Sequence, residues 1–390
     1  MSWRLSSTTR EHKRCWEYVD IHYEITIYKQ SFQKDCFLFL SYNHSMDNIT
    51  QGILWWSIYT AITKKASNKG FRLMAVVTNI PDFDIFIARL VHSNPIDQQF
   101  FHRGITHSII FNVWLSLIIW YCLYRSDKTI PYRRYALGCF ASILFGHLFI
   151  DGMTSYGMRY FLPWDKTVHS RDNMFVVDFG MRLITISWFV RYLVSKAKNK
   201  VALWILGIAW SYIAASVAIQ SYTDSIFKSH YPAASSGEIV QQSITSVEPL
   251  QIILRRHVIK TDKHFYEWYY SVLDKDKNIQ RQTYDIDTQA KQYIDQLAQQ
   301  PTTLGKHLQL ALNRSRWLYR IVPSEQGYQI QSFAMGWLNG RTGGSQRMFG
   351  FTVVGEPGQE ELTGTRSGWR ASRLDANTRN MFWTRVFGQK

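Results

Sequence analysis

Hydrophobic positions divide this chain into two halves. Long apolar runs fill much of residues 52–221, whereas residues 222–390 are polar, charged and interrupted by Gly, Pro and Asn. A helix that spans a bilayer needs about 20 mostly apolar residues. The runs closest to that length are 52–66, 71–91, 106–124, 135–153, 173–194 and 201–221. The pattern predicts an α-helical polytopic membrane bundle of five to six segments over residues 46–221, followed by a small soluble α+β domain over residues 222–390.

The first two segments are the least regular. The run 52–66 is short, and 71–91 contains Pro81, Asp82 and Asp84. The two therefore either cross the membrane or form a hairpin that crosses it only in part, since polar backbone is tolerated where it lines a protein cavity.

Basic residues cluster in the loops after the first, third and fifth segments. The positive-inside rule places such loops in the cytoplasm. With six crossings, the loops 92–105 and 154–172 and the whole C-terminal domain then lie on the outer, periplasmic side.

In the C-terminal half, the spacing of apolar residues differs from that in the first half and predicts both strands and helices. Runs rich in β-branched and aromatic residues predict strands at Gln251–Ile259, Phe265–Leu273, Gly327–Phe333 and Arg347–Val354. Helical spacing of apolar residues predicts helices at Thr288–Gln300 and Leu304–Arg314. The tail from Gly355, rich in Gly, Thr and Arg, is predicted to be flexible.

Residues 1–45 carry charges throughout and lack the apolar core of a signal peptide. Because Met46 opens the segment MDNITQG, we interpret residues 1–45 as a non-native or disordered N-terminal extension. The cysteines Cys15, Cys36, Cys122 and Cys139 show no CxxC spacing. They indicate neither a zinc ribbon nor a disulfide framework.

The formal net charge of +16 would favour nucleic-acid binding in a soluble protein. Here many basic residues flank apolar segments, where orientation in a bilayer requires them. We therefore expect the lipid bilayer, and no nucleic acid, as a partner.

Three motifs bring ionisable side chains to the apolar segments. They are NIPDFD with Asp82 and Asp84, FHRGITHS with His102, Arg103 and His107, and GHLFIDGMTSYG with His147 and Asp151. Charged groups in a spanning segment are costly unless they are paired, hydrated or bound to an ion. His147 and Asp151 lie one helical turn apart and share a face. In the topology above, all three motifs fall near the outer surface, which predicts a single site.

Imidazole and carboxylate ligands suit Zn, Mn or Fe. The predicted metal ligands are Asp82, Asp84, His102, His107, His147 and Asp151, enough for one ion or for a pair that clamps a phosphoester. We assign catalytic roles to Asp84, His107 and Arg103, the last as a bidentate partner of an anionic substrate group.

Each motif also has a structural explanation. HxxxD is common on helices, and its histidine is often only hydrogen-bonded within a bundle. PDFD is also typical of a helix break with an N-cap aspartate, and Arg103 fits an interfacial anchor. Asp178, in the apolar run MFVVDFGM, is either a partner of a ligand histidine or a plain polar contact between helices.

At these residues the sequence resembles the YdjM-type inner-membrane proteins, a family described as LexA-binding and assigned as metal-dependent hydrolases. MDNITQG, NIPDFD, HRGITHS, GHLFIDGMTSYG and Leu162–Trp164 look like its successive signatures, and the likeness extends over about residues 46–275. The resemblance implies a multi-pass protein of the bacterial inner membrane and a hydrolase site at the six histidines and aspartates named above. A LexA-type partner is implied by the family alone, and no substrate is.

The sequence thus favours a membrane-bound metal-dependent hydrolase of unknown small-molecule or lipid substrate, with a phosphoester as one candidate. An ion- or proton-coupled transporter is the alternative, although no inverted repeat of the kind found in many transporters is evident. A non-catalytic membrane anchor for a C-terminal interaction domain is the third interpretation.

Overall fold

A computed structural model describes residues 48–65, 79–126, 128–231, 237–275, 279, 281–324, 327–334, 350–354, 361–365 and 382–388. Its first part is helical. The helices are α1 (Asn48–Thr63), α2 (Asp84–Val91), α3 (Pro95–Phe101), α4 (Ile109–Ser126), α5 (Tyr132–Gly152), α6 (Phe179–Val194) and α7 (Lys198–Lys228), with 3-10 turns at Pro81–Phe83 and Ile105–His107. The predicted N-terminal extension 1–45, residues 71–78 of the second predicted segment and most of the predicted flexible tail lie outside the described residues.

Helix α1 is the central helix of this part. Its residues 50–60 are all buried, including Trp55 and Trp56, and it packs against α5, α6 and α7. Gly146 of α5 is what allows the close approach, because a Cβ there would lie 3.0 Å from the Cα of Trp55. The contact fixes α5 against α1 next to His147.

Among the described residues, two helices are long and apolar enough to cross a membrane, α5 and α7. The prediction of five to six spanning segments is not supported. Helices α1 and α6 have 16 residues each and α2 has eight. At 1.5 Å per residue, 16 helical residues cover roughly 24 Å, short of a hydrocarbon core of about 30 Å. Hydropathy alone could not separate a short buried helix such as α1 from a spanning one.

The three basic loops meet at one end of the helices. Lys65, just after α1, donates a hydrogen bond to Thr129 in the loop between α4 and α5. Asn199, at the start of α7, donates to the backbone oxygen of Lys64 at 3.0 Å. Helix α5 runs from this end towards His147 and Asp151, so the ionisable motifs lie at the opposite end.

The C-terminal part is an antiparallel α+β structure. One sheet has the order β1 (Val240–Val247), β2 (Leu254–Thr261), β3 (His264–Ser271), β4 (Arg281–Asp285). Helices α8 (Thr288–Gln299) and α9 (Thr303–Arg314) follow, and a second sheet has the order β5 (Tyr319–Ser324), β6 (Gly327–Ser332), β7 (Gly350–Val354), β8 (Glu361–Thr365). Both predicted helices and the four predicted strands are present in this part, with the start of the strand predicted at Arg347 outside the described residues.

This α+β part holds α3 within its own core. Ile96 and Phe100 of α3 are buried with residues of α8, α9 and the second sheet, and the ring of Phe100 stacks on Phe351 with centroids 5.8 Å apart. His307 of α9 also bonds Asp97 of α3, with 2.8 Å between Nε2 and Oδ1. The chain leaves α3 directly into His102 and Arg103, so the C-terminal part positions that motif.

Candidate metal site

Three chain segments deliver the ionisable side chains to one place. The 3-10 turn Pro81–Phe83 carries Asp82, the turn Ile105–His107 carries His107, and α5 carries His147 and Asp151. Within α5, the turn Leu144–Leu148 is π-helical. Such turns are rare and are frequent at functional sites. Here the π-helical turn contains His147, one of the residues of the cluster.

Asp82, His107, His147 and Asp151 form a buried cluster. One ligand atom from each lies within 4.8 Å of the other three. The Nε2 of His107 is 3.1 Å from Asp82 Oδ1 and 3.7 Å from Asp151 Oδ2, and the Nε2 of His147 is 3.6 Å from Asp151 Oδ2. A tetrahedral site with metal–ligand bonds of about 2.1 Å has ligand–ligand edges of roughly 3.4 Å. The donor set and its spacing therefore fit a divalent cation.

Several buried atoms of the cluster residues lack a hydrogen-bond partner within the described part of the chain. They are both ring nitrogens of His147 and Oδ2 of Asp151, all buried. Buried polar atoms are nearly always satisfied, and each exception needs an explanation. A bound cation supplies one, because it would accept lone pairs from the His147 ring and from Asp151.

Asp84 lies beside the cluster and orients its histidines. It accepts hydrogen bonds from His102 Nδ1 at 2.8 Å, the backbone N–H of Arg103 at 3.0 Å and the hydroxyl of Thr106 at 2.7 Å. The Nδ1 of His107 is 3.4 Å from Asp84 Oδ2, the oxygen that also accepts from Arg103 and Thr106. A carboxylate behind a histidine fixes which ring nitrogen faces a metal, and for His107 that nitrogen is Nε2.

His102 is fully enclosed next to the cluster. Burial lowers the pKa of His102, while the hydrogen bond to Asp84 opposes that change. Its Nε2 is buried without a hydrogen-bond partner among the described residues. The neutral ring thus keeps one lone pair available near His107, whose ring centroid is 5.5 Å away.

Asp151 is held from behind by two donors. The Nη2 of Arg103 donates to Asp151 Oδ1 at 3.1 Å, and the side-chain amide of Gln51 donates to the same oxygen at 2.9 Å. Arg103 also donates to the hydroxyl of Thr154 and to the backbone oxygen of Gly157. Both oxygens of Asp151 are thereby fixed in direction, with Oδ2 left to face the histidines.

The six predicted ligands separate into two groups. Asp82, His107, His147 and Asp151 form the four-membered cluster, and Asp84 and His102 adjoin it as a hydrogen-bonded pair. Asp178 stands apart from both: it caps α6 through the N–H of Met181 and accepts a hydrogen bond from Tyr212. Of the two interpretations of Asp178, the contact between helices is the one observed.

Other residues of the site carry little signal in the sequence. Gln51 lies in the segment MDNITQG and Thr106 in HRGITHS. For both residues, the only signal in the sequence is a polar side chain within or beside an apolar run. Arg314 is different, because it lies more than 150 residues from the motifs. Its Nη2 donates to the backbone oxygen of His102 at 3.0 Å and its guanidinium lies 4.3 Å from the centroid of the Tyr156 ring.

The fold and the site define a helical protein that encloses a histidine–aspartate cluster beneath an antiparallel α+β part. The model of one family, described as YdjM inner membrane protein, matches residues 46–222. Over these residues the chain is similar to the YdjM inner membrane proteins, and the resemblance seen in its motifs is confirmed. The match includes every residue of the cluster and ends before β1. No curated protein and no solved structure matches the chain.

Proposed function

We propose that this protein is a membrane-bound metal-dependent hydrolase. The observation that carries the proposal is the buried cluster of Asp82, His107, His147 and Asp151, with one ligand atom of each within 4.8 Å of the others. A divalent cation in such a site supplies Lewis acidity and activates water for hydrolysis. Zn, Mn and Fe suit this mixture of imidazole and carboxylate ligands.

The protein's own residues supply orientation. Asp84 holds the Nδ1 side of His107, and Arg103 with Gln51 holds Asp151, so the ligand atoms are fixed before a cation arrives. In this arrangement Arg103 and Asp84 act as positioning residues, while Asp82, His107, His147 and Asp151 are the ligands. His102, whose Nε2 has no hydrogen-bond partner among the described residues, would be the group that accepts a proton from a water molecule in the site.

An apolar outer surface supports the membrane location. Helices α4, α6 and α7 carry large apolar side chains that are each more than half exposed: Trp114, Ile118, Val190, Leu203 and Trp204. Large exposed apolar surfaces mark contact with a partner or a membrane. The family is one of inner membrane proteins. We propose that α5 and α7 cross the bacterial inner membrane, that the shorter α6 returns the chain between them, and that the basic-loop end lies in the cytoplasm.

In this proposed topology the site and the C-terminal part would lie on the periplasmic side, because α5 and α7 both lead from the basic loops to the opposite end. A substrate at that face is a small molecule or lipid headgroup with a hydrolysable ester. A phosphoester fits the arginines near the cluster.

Hydrolysis tests the proposal. Detergent-purified protein supplied with Zn, Mn or Fe should cleave an activated phosphoester such as p-nitrophenyl phosphate or its bis ester, and a chelator should abolish the cleavage. Asp151→Asn should lower kcat/KM at least about a hundredfold, since the ligand loses its charge. The exposed Asp165→Asn is the matched control and should leave the rate unchanged. Equal rates in both variants, or chelator-resistant cleavage, would refute the assignment.

A further inference from the structure

Two arginines beside the metal cluster have no ion-pair partner among the described residues. Arg314, the last residue of α9, is 8% exposed, and Arg159 is half-buried. Neither makes a salt bridge to any carboxylate in the part of the chain that the structure describes, whereas the nearby Arg103 pairs with Asp151. Instead both donate to backbone oxygens, Arg314 to His102 and Arg159 to Phe100 at 2.8 Å.

Their charges also repel each other. Burial and the positive charge of Arg314 together lower the pKa of Arg159 to about 10. Desolvating a charge costs several kcal/mol unless an opposite charge compensates it. Two neighbouring guanidinium groups kept in such a place therefore need an anion.

Each arginine also keeps an unused donor. Arg314 Nη1 and Arg159 Nε are buried without a hydrogen-bond partner within the described residues. A guanidinium offers donors in a planar fork that matches the oxygens of a phosphoryl or carboxyl group. The free donors and the lack of an ion pair, both within the described residues, are independent signs of the same ligand.

The pair is close to the metal cluster. The guanidinium groups of Arg103 and Arg314 both lie over the ring of Tyr156, at 4.7 and 4.3 Å from its centroid. Arg103 contacts the cluster through Asp151, and Arg159 donates to the backbone oxygen of Arg103 at 3.3 Å. A group bound at the two arginines would lie within one small molecule's length of the cation.

We propose that Arg159 and Arg314 bind a phosphoryl group of the substrate, so that the C-terminal part completes the site by contributing Arg314. A phosphoryl dianion matches two guanidinium groups that form no ion pair within the described residues, whereas a carboxylate would match one. The reaction at this group rests on the proposed hydrolase function, but the binding does not. The phosphoryl group belongs either to a soluble phosphomonoester or to a lipid headgroup.

Calorimetry with inorganic phosphate tests the binding on the full-length protein after chelator treatment. Arg314→Gln and Arg159→Gln should each weaken phosphate binding at least tenfold, and Arg314→Lys should recover part of the loss. Lys306→Gln is the matched control, because Lys306 is an exposed cation on the same helix. It should bind phosphate as the wild type does. Should Arg314→Gln fail to fold, Arg159→Gln carries the test.

A wild-type protein that does not bind phosphate, or variants that bind it with unchanged affinity, would overturn the proposal. Glycerol phosphate and phosphatidic acid in mixed micelles, with phosphatidylcholine as the blank, distinguish the two sources of the phosphoryl group. Metal content is measured on the same samples. Arginine-dependent phosphate binding in a protein that takes up no metal would uphold this subsite and reject the hydrolase function.

Discussion

Asp84 acts on two histidines at once. Its carboxylate accepts from His102 Nδ1 and faces His107 Nδ1, with Thr106 and the Arg103 backbone as further donors. Both oxygens of the Asp84 carboxylate are thus occupied by donors or ring nitrogens of the protein. This crowding favours an orienting role for Asp84 over direct metal ligation.

The substitution Asp84→Asn should therefore weaken metal binding without abolishing it. An amide keeps the shape but no longer fixes the His107 ring as a charged acceptor does, and loss of such a partner typically costs 10- to 100-fold in metal affinity. Competition with a chromophoric chelator measures the dissociation constant.

Asp82→Asn provides the comparison within the same turn. It removes a ligand of the cluster and should cost more affinity than Asp84→Asn. The reverse order of the two variants would show that Asp84, and not Asp82, contacts the cation.

Much of the site could be predicted from single residues. The spacing of His147 and Asp151 places both on one helix face, and a proline followed by two aspartates in an apolar run indicates buried charge. What local pattern could not show is which ligands share a centre, because Asp82 and Asp84 are only two positions apart and face different partners. Arg314 could not be found either, since nothing near it in sequence marks a site.

At the scale of elements, the crossing of α1 and α5 sets the position of the cluster. Gly146 has no room for a side chain against Trp55, and Gln51 of α1 reaches Asp151 of α5 from the same interface. The close contact of the two helices therefore serves both packing and the site.

Gly146→Leu should force α1 and α5 apart. Inserting a side chain into a packed interface typically costs about 1–3 kcal/mol, so we expect a lower Tm together with weaker metal binding. Thermal unfolding of the purified protein and chelator competition measure the two effects.

The control for this substitution is Gly207→Leu in α7. A Cβ at Gly207 meets no atom within 4 Å, so this variant should keep the wild-type Tm and metal affinity. Equal behaviour of the two variants would mean that the α1–α5 contact is not tight.

Strand prediction succeeded where β-branched and aromatic residues are concentrated and failed where they are not. Strands β2 and β3 carry β-branched and aromatic residues, and the sequence predicts them. Strands β1 and β8, with the sequences VQQSITSV and ELTGT, are largely polar and are held by pairing with β2 and β7. Pairing between strands that are distant in the sequence produces no local pattern of residues from which such strands could be predicted.

At the largest scale, the described part of residues 48–388 has two ends of different character. The basic loops meet at one end, and the cluster and the α+β part lie at the other. If the proposed topology holds, a chemical label should reach the two ends from opposite sides of the membrane.

Cysteine labelling measures that topology. In a background without native cysteines, Lys306→Cys in α9 should react with an impermeant maleimide added to spheroplasts, whereas Lys128→Cys in a basic loop should react only after lysis. Both native lysines are exposed. Labelling of Lys128→Cys alone in intact spheroplasts would invert the proposed orientation.

The central claim is that the histidine–aspartate cluster holds a metal ion, and elemental mass spectrometry of detergent-purified protein tests it most directly. The wild type, after supply of Zn, Mn and Fe, should carry one of them in near-stoichiometric amount. The double variant His107→Ala, His147→Ala should lose it, while His230→Ala, His264→Ala, two histidines outside the cluster, should retain it. Folded wild-type protein that stays metal-free, or equal metal in both double variants, would contradict the account.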